Sequence, residues 1–206
     1  MRAEELSARS KRRRVITTKR DETHPVALNL LNRDFHAEEP NKKWVTDITY
    51  IPTKQGWLYL AVVLDLYSRM VVGWSMSGNC DGKLVEHALE QALMRRRPNA
   101  GLLHHSDRGS QYTAQAYRAY LQRYGIQQSM SRKGNCWDNA AMESFFGTLK
   151  DECVRETFYA SHEEARSELF IYIEAYYNRV RRHSTLGYVS PFQYEAIGDQ
   201  RTLRNV

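Results

Sequence analysis

The chain has 206 residues, of which 42% are apolar and 11% aromatic, enough for one packed domain and a tail. This composition excludes a disordered protein, and no apolar run approaches the roughly 20 residues of a membrane span. The N-terminus lacks the apolar stretch of a secretory signal, so we expect a soluble, intracellular protein. Its three isolated cysteines form no Cys-x-x-Cys pair and indicate neither a disulfide framework nor a zinc site.

The formal charge of +6 is concentrated at the N-terminus. Residues 1–20 hold eight Lys or Arg side chains and two Glu, whereas the remaining acids and bases balance. A basic run that includes Arg12, Arg13 and Arg14 is typical of an arm that binds a polyanion, although a solvated charge run is the alternative. We predict an arm and linker over 1–40, a folded core over 41–198 and a tail over 199–206.

The hydrophobic pattern from residue 44 onward predicts a mixed α/β order. Short connections make the first three strands antiparallel neighbours, and helices alternate with strands after them. The predicted strands cover 44–51, 57–65, 70–76, 101–107 and 126–130, and the predicted helices cover 81–97, 113–124, 138–153 and 161–179.

Three carboxylates occupy positions that ordinary packing does not require. Asp47 interrupts the strand "WVTDITYI", where Asp is disfavoured; Asp107 ends a strand; and Glu143 lies near the start of a helix. If the first and fourth strands are neighbours, the three side chains can converge. Like charges at contact raise one another's pKa, and Mg²⁺ relieves that repulsion. Taken singly, Asp107 could be only a turn or capping residue and Glu143 only a solvated one.

Basic and polar residues surround these acids. Helical spacing puts Asn139, Glu143 and Lys150 on one face, where Lys150 could meet a DNA phosphate, with an exposed helix lysine as the plain alternative. Other candidates for DNA contact lie elsewhere in the chain. They are Arg132 and Lys133 in a loop expected to be mobile, His105, for which a structural hydrogen bond is favoured, and Arg181 and Arg182.

Five sequence blocks together resemble one family. They are "WVTDITYI", "VLDLYSRMVVGW", "HHSDRGSQYT", "SRKGNCWDNAAMESFFGTLKDE" and "YYNRVRRHSTLGYVSPFQYE". Over residues 28–196 the chain resembles the OrfB part of bacterial insertion-sequence transposases of the OrfA/OrfB type, whose core is similar to retroviral integrases. Thirty-five residues separate Asp107 from Glu143, the spacing of that family's DDE signature.

The resemblance implies an RNase H-like fold with a mixed five-stranded sheet flanked by helices. It implies a catalytic, metal-binding triad of Asp47, Asp107 and Glu143, a two-metal site for Mg²⁺ or Mn²⁺, and Lys150 at the family's basic position. It further implies cleavage at mobile-element ends, joining of the 3′-OH to target DNA, an OrfA partner or OrfA–OrfB fusion, a homo-oligomer on DNA and a place at the bacterial nucleoid. By the same resemblance, the chain starts short of the family's helical DNA-binding region.

Two other functions remain open at this point. One is a nuclease of the same fold, which would hydrolyse nucleic acid without joining it. The other is a non-catalytic DNA-binding relic, which would bind DNA whether or not Asp47 is intact.

Overall fold

A five-stranded mixed sheet forms the centre of the protein in the computed structural model, which describes residues 26–154 and 158–204. The strand order is β3-β2-β1-β4-β5; β1, β2 and β3 are antiparallel, and β4 and β5 run parallel to β1. This topology confirms the predicted fold class. The strands are β1 (Lys43–Thr53), β2 (Gly56–Asp65), β3 (Val71–Ser77), β4 (Leu103–Ser106) and β5 (Gln127–Met130).

Helices cover both faces of the sheet, as parallel strands require. A turn of 3₁₀-helix (Cys136–Asn139) leads into α4, and π-helical turns extend α4 to Val154 and α5 to Tyr177. The helices are α1 (Gly82–Arg96), α2 (Ser110–Thr113), α3 (Gln115–Arg123), α4 (Ala140–Leu149), α5 (His162–Ile171) and α6 (Pro191–Arg204), with a short 3₁₀ turn at Ser184–Leu186.

Alternation along β1 divides its side chains between two hydrophobic cores. Trp44 is fully buried in the core that contains α1, whereas Val45 and Ile51 are fully buried in the core that contains α4 and α5. Successive strand residues point to opposite faces, so residues of β1 with odd numbers face α4. Asp47 has an odd number, and the fold therefore turns it toward α4.

The ends of the core differ from the sequence prediction. Part of the stretch expected to be arm and linker packs on the core: Leu31 is buried, and the amide of Met130 donates to the carbonyl of Leu28 (3.2 Å). At the other end α6 continues through Arg204, into the stretch expected to be a tail. Glu195 fastens α6 to the core by accepting hydrogen bonds from Ser68 and Arg96.

Asp65 belongs to this same anchoring network. It is fully buried and accepts from the amides of Asn41 (2.7 Å) and Tyr67 (3.0 Å), with Arg96 at 3.5 Å. Asp65 therefore holds the turn that follows β2 and pairs with Arg96. None of the helices within the described ranges combines the length and apolar character needed to cross a membrane.

Candidate active site

The pairing of β1 with β4 brings two of the predicted acids side by side. Val45 of β1 pairs in parallel with His105 of β4. Continuing that register by two residues sets Asp47 opposite Asp107, on neighbouring chain segments that are about 4.8 Å apart in a sheet. The carboxyl end of β4 is also where ligand crevices open in α/β sheets.

Electrostatics agree with this proximity. Burial, followed by the charges of Asp47 and Asp107 among others, raises the pKa of the Tyr112 phenol, and both carboxylates also help to raise the pKa of the Cys80 thiol. The pKa of Asp107 is itself raised by burial, although the amide of Gly109 donates to its Oδ1 (2.8 Å) and opposes the shift. A partly buried, adjacent pair of acids favours a cation between them.

Helix α4 brings Glu143 to the same level. Its N-terminal neighbour Asn139 donates to the carbonyl of Thr46 (3.3 Å), and Lys150 lies 4.7 Å from the ring centre of Tyr50. The eleven helical steps from 139 to 150 span about 16 Å, and the four strand steps from 46 to 50 about 13 Å, so α4 and β1 run alongside each other. Glu143, one turn past Asn139, therefore lies near the level of Asp47.

The three carboxylates are not gathered into one cluster. Glu143 is exposed in the first turn of α4, whereas Asp47 and Asp107 are partly buried at the sheet. Across 26–154 and 158–204, no group of three or more His, Cys, Asp or Glu side chains is close enough to hold a metal ion. The donor chemistry nevertheless suits Mg²⁺, which takes carboxylate oxygens and completes its shell with water.

Lys150 is half-buried beside the site. Burial lowers its pKa, and the charge of Asp47 acts in the opposite direction. Its ammonium group lies over the Tyr50 ring and within the field of Asp47. The predicted shared face of Asn139, Glu143 and Lys150 is consistent with these contacts to β1.

The loop before α4 is fastened rather than free. Asp138 is fully buried and accepts hydrogen bonds from the amide, Nε and Nη2 of Arg132 (2.8, 2.9 and 2.7 Å). Arg33 Nε and Asn29 Nδ2 also donate to it (both 2.9 Å). Arg132 is therefore committed to Asp138 in this structure, whereas Lys133 is exposed.

Two residues predicted to contact DNA lie in the interior instead. His105 is fully buried, its ring nitrogens bonded to the hydroxyls of Ser129 (2.8 Å) and Ser131 (3.1 Å), and burial lowers its pKa to about 4. Its ring is neutral and inaccessible to DNA here, so the structural alternative applies. Asn139 is 5% exposed and holds α4 to β1.

The C-terminal arginines differ from each other. Arg181 donates through Nε to both oxygens of Glu152 (2.9 and 3.0 Å), which offsets its charge. Arg182 is exposed. The predicted arm residues Arg12, Arg13 and Arg14 lie outside the described residues.

Sequence reasoning missed Asp138 and Tyr112. Tyr112 is 1% exposed and shares a hydrogen bond with Thr46 Oγ1 (3.2 Å), directly behind Asp47. No periodicity marks a buried tyrosine at this point. The one sequence signal for Asp138 is an acid six residues after Arg132, in a loop otherwise rich in basic and small residues.

Comparisons with known proteins identify the family. A model described as "Integrase core domain" matches residues 37–136, and a second model with that description matches 124–191. The transposase InsF for insertion sequence IS3A of Escherichia coli is 48% identical over 195 residues, which is 95% of this chain and 68% of InsF.

Solved structures show the same fold. A chain of the simian T-cell lymphotropic virus intasome superposes on this protein with a TM-score of 0.62 at 17% sequence identity. The superposition covers 86% of this chain and 61% of the intasome chain. The HTLV-2 integrase catalytic core solved with magnesium gives a TM-score of 0.58 at 17% identity, covering 77% of this chain and 99% of that core. The RNase H-like fold is thereby confirmed. The chain belongs to the insertion-sequence transposases of the OrfB type, which carry an integrase core domain.

Proposed function

We propose that this chain is a DDE polynucleotidyl transferase in which Asp47, Asp107 and Glu143 are the catalytic carboxylates. One observation supports the proposal: Val45 pairs with His105, a register that, continued by two residues, would put Asp47 opposite Asp107, while α4 contacts β1 on either side of the level of Glu143. Three acids from three separate elements at one edge of a sheet are more than turn formation or helix capping requires.

The three carboxylates would hold two Mg²⁺ or Mn²⁺ ions. Bound cations of this kind lower the pKa of an attacking hydroxyl and stabilise the departing oxygen at phosphorus. Asp107 supports the assignment because burial raises its pKa, so an adjacent cation would favour its ionised form. The side chain of Glu143 is exposed to solvent, in the first turn of α4.

The chain's other residues position the helix and the DNA. Asn139 holds the first turn of α4 against β1, which limits where Glu143 can lie. Lys150 supplies positive charge on the same face and would pair with a phosphate of the bound strand. Lys133 and the arm that includes Arg12, Arg13 and Arg14 would add contacts to the DNA backbone.

The reaction we assign is cleavage at the ends of the mobile element followed by attack of the freed 3′-OH on a second phosphodiester. Two ends must be paired for insertion, so a homo-oligomer on DNA is part of the proposal. OrfA, or an OrfA–OrfB fusion, would supply recognition of the element ends.

A branched DNA that mimics the product of strand transfer tests the chemistry without recognition of the element ends. On this substrate the enzyme would catalyse the reverse of strand transfer, which needs only an in-line displacement at the preformed junction. The transferase rejoins the target strand and releases the end, with Mn²⁺ or Mg²⁺ present. A nuclease of the same fold yields only shorter fragments. A non-catalytic relic binds the substrate and leaves it intact.

Asp107→Asn should reduce this reaction on the order of 10²–10³-fold, and it should also weaken Mn²⁺ binding measured by calorimetry. The exposed Glu90→Gln on α1 is the matched control for removal of one negative charge. Full activity of Asp107→Asn would overturn the triad assignment.

A further inference from the structure

A basic cavity of about 490 Å³ lies between α4 and the C-terminal segment 177–188. One of its walls is the stripe Ala140, Ser144 and Thr148 of α4. The opposite wall carries Arg69 from the β2–β3 turn and Arg182. Its size is within the range of sites that take small organic groups.

The positive charge in this cavity is not balanced by nearby acids. Arg69 is half-buried, its burial lowers its pKa, and its guanidinium donates to the carbonyl of Phe35 (3.3 Å). Within the two described ranges, neither Arg69 nor Arg182 has a carboxylate at ion-pair distance, in contrast to Arg181, which is paired with Glu152 (2.9 Å). Two guanidinium groups without a carboxylate partner, one of them half-buried, leave net positive charge at the cavity, which favours an anionic ligand.

The backbone gives an independent indication. Arg69 and Tyr188, which both line the cavity, have φ values of 60° and 62°. This left-handed region is unfavourable for residues with a Cβ and is usual for Gly or Asn. Both positions therefore keep a large side chain at a conformational cost, a pattern found at functional sites.

The cavity adjoins the candidate active site. Ser144 follows Glu143 directly, so its stripe is turned by about 100° from the catalytic face of α4. A helix with its side chains is only about 10–12 Å across. DNA held at Glu143 thus passes within reach of the cavity.

We propose that this cavity binds a backbone phosphate of the DNA engaged at the catalytic face, with the guanidinium groups of Arg69 and Arg182 as its ligands. The inference rests on the proposed function, since it takes DNA as the substrate. Arginine is suited to the task because its planar fork donates two parallel hydrogen bonds to phosphate oxygens.

The test is DNA binding by the full chain over a salt series, with fluorescence anisotropy of a labelled duplex of arbitrary sequence and no divalent metal. Arg182→Gln should weaken binding about tenfold and reduce the slope of log K against log [salt] by about one. The matched control, Arg123→Gln on the exposed surface of α3, should change affinity far less.

A second pair of variants adds negative charge instead of removing positive charge. Thr185→Glu places a carboxylate at the cavity wall and should weaken binding, whereas Ser167→Glu on α5 should not. If Arg182→Gln and Thr185→Glu both match their controls, the cavity does not bind DNA. In that case, metal-dependent rejoining by the same two variants would show that the proposed catalytic function still holds. Asp107→Asn gives the opposite separation: it should lose rejoining while its DNA binding stays unchanged.

Discussion

The side-chain amide of Asn139 donates to the backbone carbonyl of Thr46 at 3.3 Å, which fastens the start of α4 to the residue before Asp47. A single contact thus relates the two elements that carry the first and third acids of the proposed triad. Because α4 has no side-chain cap at Asn139, this contact also fixes where the helix begins.

Asn139→Ala should reduce rejoining of branched DNA more than it reduces stability. Loss of one buried hydrogen bond costs about 1 kcal/mol in the free energy of unfolding. Misplacement of Glu143 by about 1 Å can cost on the order of a hundredfold in rate. Urea unfolding and the rejoining rate, measured on the same preparation, check both numbers; a rate within twofold of the parent would contradict the positioning role.

Asp138→Asn should destabilise the fold and show a distinctive pH dependence. Hydrogen bonds from Arg132 are the largest cause that holds the pKa of Asp138 well below its usual value. A lowered pKa stabilises the fold above the unfolded-state pKa of about 3.9, and this contribution is lost as pH falls through the folded-state value. We expect a cost of about 2–3 kcal/mol at neutral pH that shrinks below about pH 4.

The control for this prediction is Asp34→Asn. Asp34 pairs with Lys43 (2.6 Å), but its side chain is 65% exposed, so the pair is screened by solvent. The control should lose much less stability than Asp138→Asn at neutral pH. Equal losses for the two variants would mean that burial of Asp138 adds nothing.

The sheet and the spacing of the acids were predictable because they depend on local patterns. Alternating apolar residues mark β1 and β2, and Asp47 is visible as an exception within such a pattern. The register that sets Asp47 beside Asp107 was not predictable, since it depends on pairing between segments about sixty residues apart. The sequence allowed these two strands to be neighbours and could not require it.

Helix α6 and the Asp138 cluster escaped prediction for a related reason. Phe192 and Ile197 of α6 are partly exposed, so the helix lacks a strong apolar stripe, and Glu195 holds it by polar contacts to Arg96 and Ser68. Asp138 likewise depends on Arg33, which is 105 residues away in the chain. Polar contacts between distant segments leave no periodic signal.

Lys150→Met should impair DNA handling while leaving the fold intact. Methionine keeps an unbranched apolar side chain beside Tyr50 and loses only the contact of the ammonium group with the ring. A cation–π contact at an exposed site is worth about 0.5–1 kcal/mol, so the fold should tolerate its loss. Loss of the charge should reduce the rejoining rate about tenfold and lower the salt slope of DNA binding by about one. Lys83→Met, at an exposed position of α1, is the matched control. If the two variants behaved alike, Lys150 would have no particular role in DNA binding or rejoining.

Two glycines should respond to alanine in opposite directions. A Cβ at Gly147, in the interior of α4, would meet no atom within 4 Å beyond its chain neighbours and the backbone of its own helix, so Gly147→Ala should stabilise the protein by about 0.5–1 kcal/mol through helix propensity. A Cβ at Gly73 would collide with the carbonyl of Ala88 and lie 2.7 Å from the amide nitrogen of Ala92, because β3 and α1 pack backbone to backbone there. Gly73→Ala should therefore cost at least about 1–3 kcal/mol.

Thermal unfolding measures both changes in one experiment. For a chain of this length each kcal/mol shifts the melting temperature by about 2–4 °C, so Gly147→Ala should melt slightly above the parent and Gly73→Ala clearly below it. A destabilised Gly147→Ala would mean that the backbone at 147 is not that of an ordinary helix, and with it the placement of Lys150 two turns beyond Glu143 would fail. If the melting temperature of Gly73→Ala equalled that of the parent, the carbonyl of Ala88 in α1 would have to lie farther from Gly73 than the structure places it.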